Sequence, residues 1–562
     1  MEESYRVMNM IKKGIPSWER FQEVTIKHTG GKSMKKLLTS FLGLTLVLSL
    51  AGCGESGSGS AGGSGANTGG DQTYIIGVSG EATTLNPDAT ADDYNYSIVQ
   101  NIYSRLYKLG NDFVPKPDLA ESYELSDDGL TYTFHLREGV KWTDGEPCTA
   151  EDVKYTYDTI IEEGYIFANV FENVASIEIP DDLTVVFNMS NPDPSFMGNV
   201  SWYGTFILPK HLYEGTDWLT NEYNENPVGT GPFKLDQWNK GTDIQIVPNE
   251  DYFGDQPLLD RVIYTVIPDD STAYQAWLNG EIDETWNYVE AEYPELEAEG
   301  DKFQWVEQLW PSPWYIVFNV TDGQCADPAV RKAMAMGLDR EEVSVKATSG
   351  IKPASEYFIP LLYEDAHNEE YKLPEYDPEG AIKVLEDAGY ERDEDGYFLH
   401  LTFTSQAGIP EVEQVVKADY EKIGIDVTID SLDYTIWDEK VSAFDYEFAW
   451  MGGFQGPDVV ATGKRLITDG MINYSGYSNP AVDELYAQAN AETDPAKQNE
   501  LIKQVQVYLA EDIPNLNMVD YMDKMPYYSY IKGHPSFSEA DGGSMEKAGF
   551  SEMTYVYLDR GE

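Results

Sequence analysis

Cysteine is scarce, with three residues in 562. That excludes a disulfide framework and a cysteine-based metal cluster. Basic residues are also few: 38 Lys and Arg stand against 98 Asp and Glu, a formal charge of -60. Such a chain repels polyanions, so nucleic acid is excluded as a partner. The six histidines, at 28, 135, 211, 367, 400 and 534, each stand alone. There is no His-Glu-x-x-His and no pair at ligand spacing, so neither a metal nor another cofactor is expected. Gly31-Lys32-Ser33 has the ending of a phosphate-binding loop, but the glycine required five positions earlier is Ile26. No Gly-x-Ser-x-Gly elbow occurs. What the chain does have is 41% hydrophobic and 13% aromatic residues, enough for a large globular body of two or three lobes.

One strongly apolar run follows Met34-Lys35-Lys36 and extends from Leu37 to Leu50. It is shorter than the roughly 20 residues of a membrane span, and its basic start and small-residue end are those of a secretory signal. Leu50-Ala51-Gly52-Cys53 resembles a bacterial lipobox. The resemblance implies a signal peptide over 34–52 and acylation of Cys53 as the mature first residue. Residues 1–33 carry mixed charge without apolar periodicity and read as a non-native extension before a start at Met34. Removing 1–52 leaves 30 basic against 94 acidic residues, a charge of -64. Gly/Ser-rich residues 53–71 cannot bury a core and are expected to form a flexible tether.

From Gln72 onward strand and helix signals alternate, giving an α/β class in several lobes. Tyr132, Phe134 and Leu136 alternate with polar residues after an Asp128-Gly129 turn signal. Further strands are expected at 183–189, 244–247, 262–267, 314–320 and 425–429. Helix starts are written by an Asp or Asn cap followed by Pro at 327–328, 377–378, 479–480 and 494–495. After the last of these, Leu501, Val505, Tyr508 and Leu509 make one apolar stripe. Thr149 and Asp152 form a capping-box variant ahead of Val153, Tyr157 and Ile160. No repeat of 20 to 50 residues is visible, against a solenoid or propeller.

A polysaccharide hydrolase needs only two carboxylates and aromatic platforms, both plentiful here. Against it, most acidic residues lie in hydrophilic clusters such as Glu391-Arg392-Asp393-Glu394-Asp395, and none stands in a mainly apolar setting. Cys148 and Cys325 read as small buried hydrophobes rather than reactive thiols.

The run Pro117-Asp118-Leu119-Ala120-Glu121-Ser122-Tyr123, with Ser126 to Phe134, Leu136 to Trp142 and Asp144 to Val153, resembles the family 5 solute-binding proteins of ABC importers. Leu85-Asn86-Pro87, Pro227 to Phe233, Gly280-Glu281-Ile282-Asp283, Val330-Arg331-Lys332-Ala333 with Leu338-Asp339-Arg340, and Leu509 to Pro514 match in the same order. The resemblance implies a clamshell of the periplasmic-binding-protein type (type II, cluster C) with an extra domain. It places a discontinuous lobe I at 72–110, 206–310 and 526–562, an extra domain II at 111–205 and lobe III at 311–525. It further implies a non-catalytic, lipid-anchored, monomeric receptor on the outer face of the cytoplasmic membrane, passing peptides to an ABC permease and its ATPase subunits. Oligosaccharide is the alternative ligand, and sensing without import the alternative use.

In peptide-binding members the ligand backbone pairs with extended protein segments. The matching stretch here is Ala449 to Asp458, with Gly452, Gly453 and Gly456 permitting close approach. This sequence departs from the family at Gly453, where peptide binders carry an Asp for the ligand's amino group; Asp458 is the candidate substitute. Trp202, Trp314, Trp450, Phe454 and Gln455 are candidate ligand contacts, with Thr84, Tyr94, Tyr96 and Asn473 as weaker ones.

Overall fold

The computed structural model describes residues 71–90, 93–110, 114–202, 205–453, 455–456, 458–534 and 552–561, all within one compact unit, Ala66–Glu562. The signal segment, Cys53, the Gly/Ser tether, Phe454 and Pro457 lie outside the described residues.

The main sheets are three. The first has the spatial order Glu284–Thr285, Thr73–Val78, Arg261–Val266, Asp243–Pro248 and Phe233–Asn239. Thr73–Val78 runs parallel to both its neighbours, with Ile76 opposite Glu284 and Tyr264. The second is antiparallel, with Ala120–Leu125, Thr131–Leu136, Thr184–Met189 and Val174–Asp181 in that order. Its first hairpin turns at Gly129, where φ is +69°, and the Asp128 carboxylate accepts from the Ser126 hydroxyl and the Leu130 amide. The alternation of 131–136 is realised: Tyr132, Phe134 and Leu136 are buried between half-buried neighbours. The third sheet orders Ile425–Leu432, Leu399–Gln406, Phe448–Met451, Trp314–Phe318 and Asn515–Val519.

All four Asp/Asn-Pro signals start helices, at Pro328–Gly337, Pro378–Asp387, Pro480–Ala491 and Pro495–Asp512, and each cap side chain accepts a first-turn amide. The last helix buries Ile502, Val505 and Leu509, while Leu501 and Tyr508 are half-buried, so its core face is turned slightly from the expected stripe. Thr149 and Asp152 form a reciprocal capping box on Ala150–Glu163.

One hydrophobic core runs beneath the first and second sheets together; another, separate core lies around the third. Cys148 sits in one and Cys325 in the other, both as free thiols. Burial raises both thiol pKa values, that of Cys325 to about 12, which removes thiolate character. The two bodies are joined by a ribbon: Phe303–Leu309 pairs antiparallel with Met522–Tyr528 from Phe303↔Tyr528 to Leu309↔Met522. One of these strands leads into Trp314–Phe318 and the other follows Asn515–Val519.

Candidate functional site

The strand Phe448–Met451 is central in the third sheet, between Leu399–Gln406 and Trp314–Phe318, and it ends where the glycine-bearing loop begins. Tyr315 is paired with Met451, so Trp314 comes beside Gly452. The Trp314 and Trp450 rings meet edge to face at 6.0 Å. A Cβ on Gly452 would lie 3.2 Å from Trp450 and 3.3 Å from Trp314, so the glycine keeps the chain close to both indoles. At Gly453 φ is +125°, with open space around it. That conformation is disfavoured for any side-chain-bearing residue. The glycine at the family's Asp position therefore goes with the path of this loop. Gly456 has φ +130°, and its Cβ would stand 2.1 Å from that of Ala461.

The loop is pinned at both ends. The Gln455 amide donates to the Pro311 carbonyl at 2.8 Å and its side chain to the Gly453 carbonyl at 2.9 Å. The Tyr363 hydroxyl donates to the Gly456 carbonyl at 3.1 Å. Asp458 Oδ1 accepts from the Ala461 amide at 2.9 Å. Three buried polar atoms are left without a hydrogen bond: Trp450 Nε1, Gln455 Oε1 and Asp458 Oδ2. Buried polar groups in native proteins are nearly always partnered, so unpaired ones mark strain or a missing ligand.

Two cavities flank this loop, each with one wall from the second-sheet region and one from the third. The larger, of about 720 Å³, is lined by Tyr123, Tyr132, Asp193, Met197, Tyr363 and Asp458 among others. Glu364, Asp365 and Glu492 add three further carboxylates, and no Lys or Arg lines it. The Asp193 carboxylate accepts from the Asn173 side chain and the Ser195 amide. Burial raises its pKa above the usual carboxylate range and the Asp458 charge adds to the rise, while those hydrogen bonds and the Lys464 charge oppose it. The smaller cavity, of about 220 Å³, takes Phe167, Val170 and Trp202 on one side and Gln455, Lys464 and Met471 on the other.

The structure thus brings Trp314, Trp450 and Gly452 together at the sheet end, and sets Trp202, Gln455 and Asp458 in cavity walls. Trp202 also packs on Leu109 and Trp310. Tyr94 lies in the other body, stacked on Trp286 with ring centroids 5.4 Å apart, and its hydroxyl is 2.9 Å from that of Ser79. Thr84 braces a turn: its hydroxyl accepts from the Asn86 amide, its carbonyl from Asn95. Two further candidates have their polar groups committed within the fold. Tyr96 is 3% exposed in the core, its hydroxyl donating to the Thr90 carbonyl, so it has no face for a ligand. Asn473 spends its side chain on the Ile467, Thr468 and Tyr477 carbonyls and accepts from Ser475 and the Tyr477 amide.

Sequence reasoning missed Trp286, Asp193, Lys352, Tyr363 and Lys464. Trp286 follows Glu284–Thr285 at the carboxyl end of a strand parallel to Thr73–Val78, the end where open α/β sheets receive ligands; the Gly280-Glu281-Ile282-Asp283 motif just upstream was an available signal. Lys352 is 6% exposed, with its ammonium 4.5 Å above Tyr521, 5.5 Å above Trp314 and 4.0 Å from Glu290 of the opposite body.

Two bodies on a two-stranded ribbon, with cavities between facing walls, define a bilobed ligand-binding protein of the cluster C periplasmic type. Its fold is that of the ABC transporter substrate-binding protein CtaP from Listeria monocytogenes, with a TM-score of 0.76 at 24% identity, covering 87% of this chain and 99% of that one. The model of bacterial extracellular solute-binding proteins, family 5 Middle, matches residues 114–465, and the chain belongs to that family. It is a transport binding protein and not an enzyme. Among curated relatives, the oligopeptide-binding protein AppA of Bacillus subtilis is 28% identical over 502 residues, 85% of this chain and 91% of that one. The solved structure of AppA from the same organism, in complex with a nonapeptide, superposes with a TM-score of 0.66 at 26% identity over 87% of this chain and 99% of that one. No helix among the described residues is long and apolar enough to cross a membrane.

Proposed function

We propose that the protein captures peptides outside the cytoplasmic membrane and hands them to an ABC permease, held to the membrane by acylated Cys53 and its tether. Lobes at 72–110, 206–310 and 526–562, and at 311–525, would close on the ligand as a monomer, with 111–205 as the extra domain. The observation that carries the reading is Asp458 Oδ2, a buried carboxylate oxygen with no hydrogen bond, in a cavity that also holds Asp193. A ligand ammonium is the group such an oxygen lacks. The oligopeptide-binding relatives support the same class. Trp314 and Trp450 supply apolar faces for side chains.

Calorimetry or thermal unfolding with di- to nonapeptides, free and acetylated at the amino end, tests this. A bound peptide at about 100 times its Kd adds about 2.7 kcal/mol to stability. Acetylation should abolish most of that gain, and Asp458→Asn should remove the distinction. If oligosaccharides stabilise the protein and no peptide does, the peptide reading is wrong. For the anchor, Cys53→Ser should release the protein into the medium; retention on the membrane would count against it.

A further inference from the structure

The larger cavity sets two carboxylates on facing walls. Asp193 reaches it from the second-sheet region and Asp458 from the loop of the third, both half-buried. Asp193 is met by neutral donors, the Asn173 side chain at 3.3 Å and the Ser195 amide at 3.1 Å, and the Tyr132 hydroxyl donates to its backbone carbonyl at 3.1 Å. Asp458 has the Ala461 amide on one oxygen and no hydrogen bond on the other. No described Lys, Arg or His forms an ion pair with either carboxylate. The charged groups that act on Asp193 are Asp458 and, from the neighbouring smaller cavity, Lys464; Glu364, Asp365 and Glu492 share its own walls. Burial raises the Asp193 pKa most and the Asp458 charge adds to the rise, against the two hydrogen bonds and the Lys464 charge. Two carboxylates in one poorly hydrated space do not both ionise freely, and a proton on one of them is the simplest relief.

We propose that Asp193 carries a proton in the unliganded protein and surrenders it to solvent when a ligand ammonium enters between the two carboxylates. The exchange balances: a positive charge comes in, a proton leaves, and the cavity keeps its net charge. The protonated Asp193 carboxyl becomes a carboxylate that accepts from the ammonium beside Asp458 Oδ2. The inference rests on the ammonium reading above and adds to it a coupling between capture and pH. Its sign follows from linkage. Above the pKa of the unliganded Asp193 no proton has to leave, and affinity is independent of pH. Below it each bound ammonium must displace a proton, so affinity falls with acidification toward a limit of about tenfold per pH unit. A neutral sugar or an acetylated peptide brings no charge and displaces none.

Isothermal titration calorimetry of the full protein with oligoalanines of di- to nonapeptide length, in buffers of low and high protonation enthalpy at about pH 5, counts the protons. Free-amine peptides should bind with a heat that depends on the buffer, corresponding to release of about one proton at most. Asp193→Asn, whatever its affinity, should bind with the same heat in both buffers. Equal heats for the wild type overturn the coupling while leaving the peptide reading intact, as does release undiminished in Asp193→Asn. Should that variant fail to fold, the wild type decides by itself: an affinity that does not fall between about pH 6 and about pH 4 overturns the proposal. If no peptide binds at any pH, the peptide reading fails and the coupling with it.

Discussion

Two neighbouring loops of the third-sheet body carry candidate ligand contacts, and they differ in how their polar atoms are spent. In Ile467 to Tyr477 the Asn473 side chain gives and accepts five hydrogen bonds, all within the loop. In Gly452 to Asp458 and the adjoining Trp450, three buried polar atoms have none. A fully satisfied polar group is tied to folding, and an unsatisfied one is free to meet something else. The contrast separates a brace from a receptor where composition does not.

The largest expected effect is on the brace. Asn473→Ala should cost about 3 kcal/mol of stability by denaturant unfolding, with ligand affinity unchanged at temperatures where the protein is folded. A loss of affinity at unchanged stability would break the comparison. Gly456→Ala brings a Cβ into Ala461 at a left-handed φ and should cost about 2 kcal/mol, lowering both stability and peptide affinity because the loop must move. Trp450→Phe keeps a ring against Trp314 but removes the unpaired indole N–H. Peptide affinity should fall by about 1 kcal/mol while the melting temperature holds; a fall in melting temperature alone would make Trp450 a brace as well.

The smallest effect is on pH dependence. Asp193 has a raised pKa in the folded protein, so over the interval between its unfolded and folded values the native state binds more protons than the unfolded one. Stability therefore falls as pH rises through that interval. Asp458→Asn removes one cause of the rise and should flatten the decline that sets in above about pH 4, read from urea midpoints. An unchanged slope would show that the two carboxylates do not sense each other.

Much of the scaffold is legible because its signals are local. An Asp or Asn followed by Pro presets a cap and a first-turn φ within two residues, and all four such starts are realised. The strand Phe448–Met451 is not legible that way: four apolar residues buried on both faces show no alternation. In the site, Trp314, Gly452 and Trp450 were within reach through the loop motif. Asp193 and Lys464 were not. Each looks like an ordinary surface residue in its own segment, and they acquire meaning when segments distant in the chain meet at the cavity walls, Asp193 with Asp458 in the larger and Lys464 with Trp202 in the smaller. Asn473 and Tyr96 illustrate the converse, since a polar or aromatic residue in a promising segment does not disclose whether its hydrogen bonds are already committed.

The ribbon of Phe303–Leu309 and Met522–Tyr528 bears on how the proposed capture would move the two bodies. Two strands cross-linked along seven residue pairs resist shear and stretching but yield to twist and bend. Pro311 and Pro313 stiffen the exit of one strand, and the Trp310 amide ties it to the Tyr521 carbonyl at 2.9 Å. On the proposed closure, this would restrict the relative motion of the bodies to few degrees of freedom, and facing walls would meet in the same alignment each time. A ligand would then have to supply only the energy of the final approach, with misaligned encounters excluded by the ribbon.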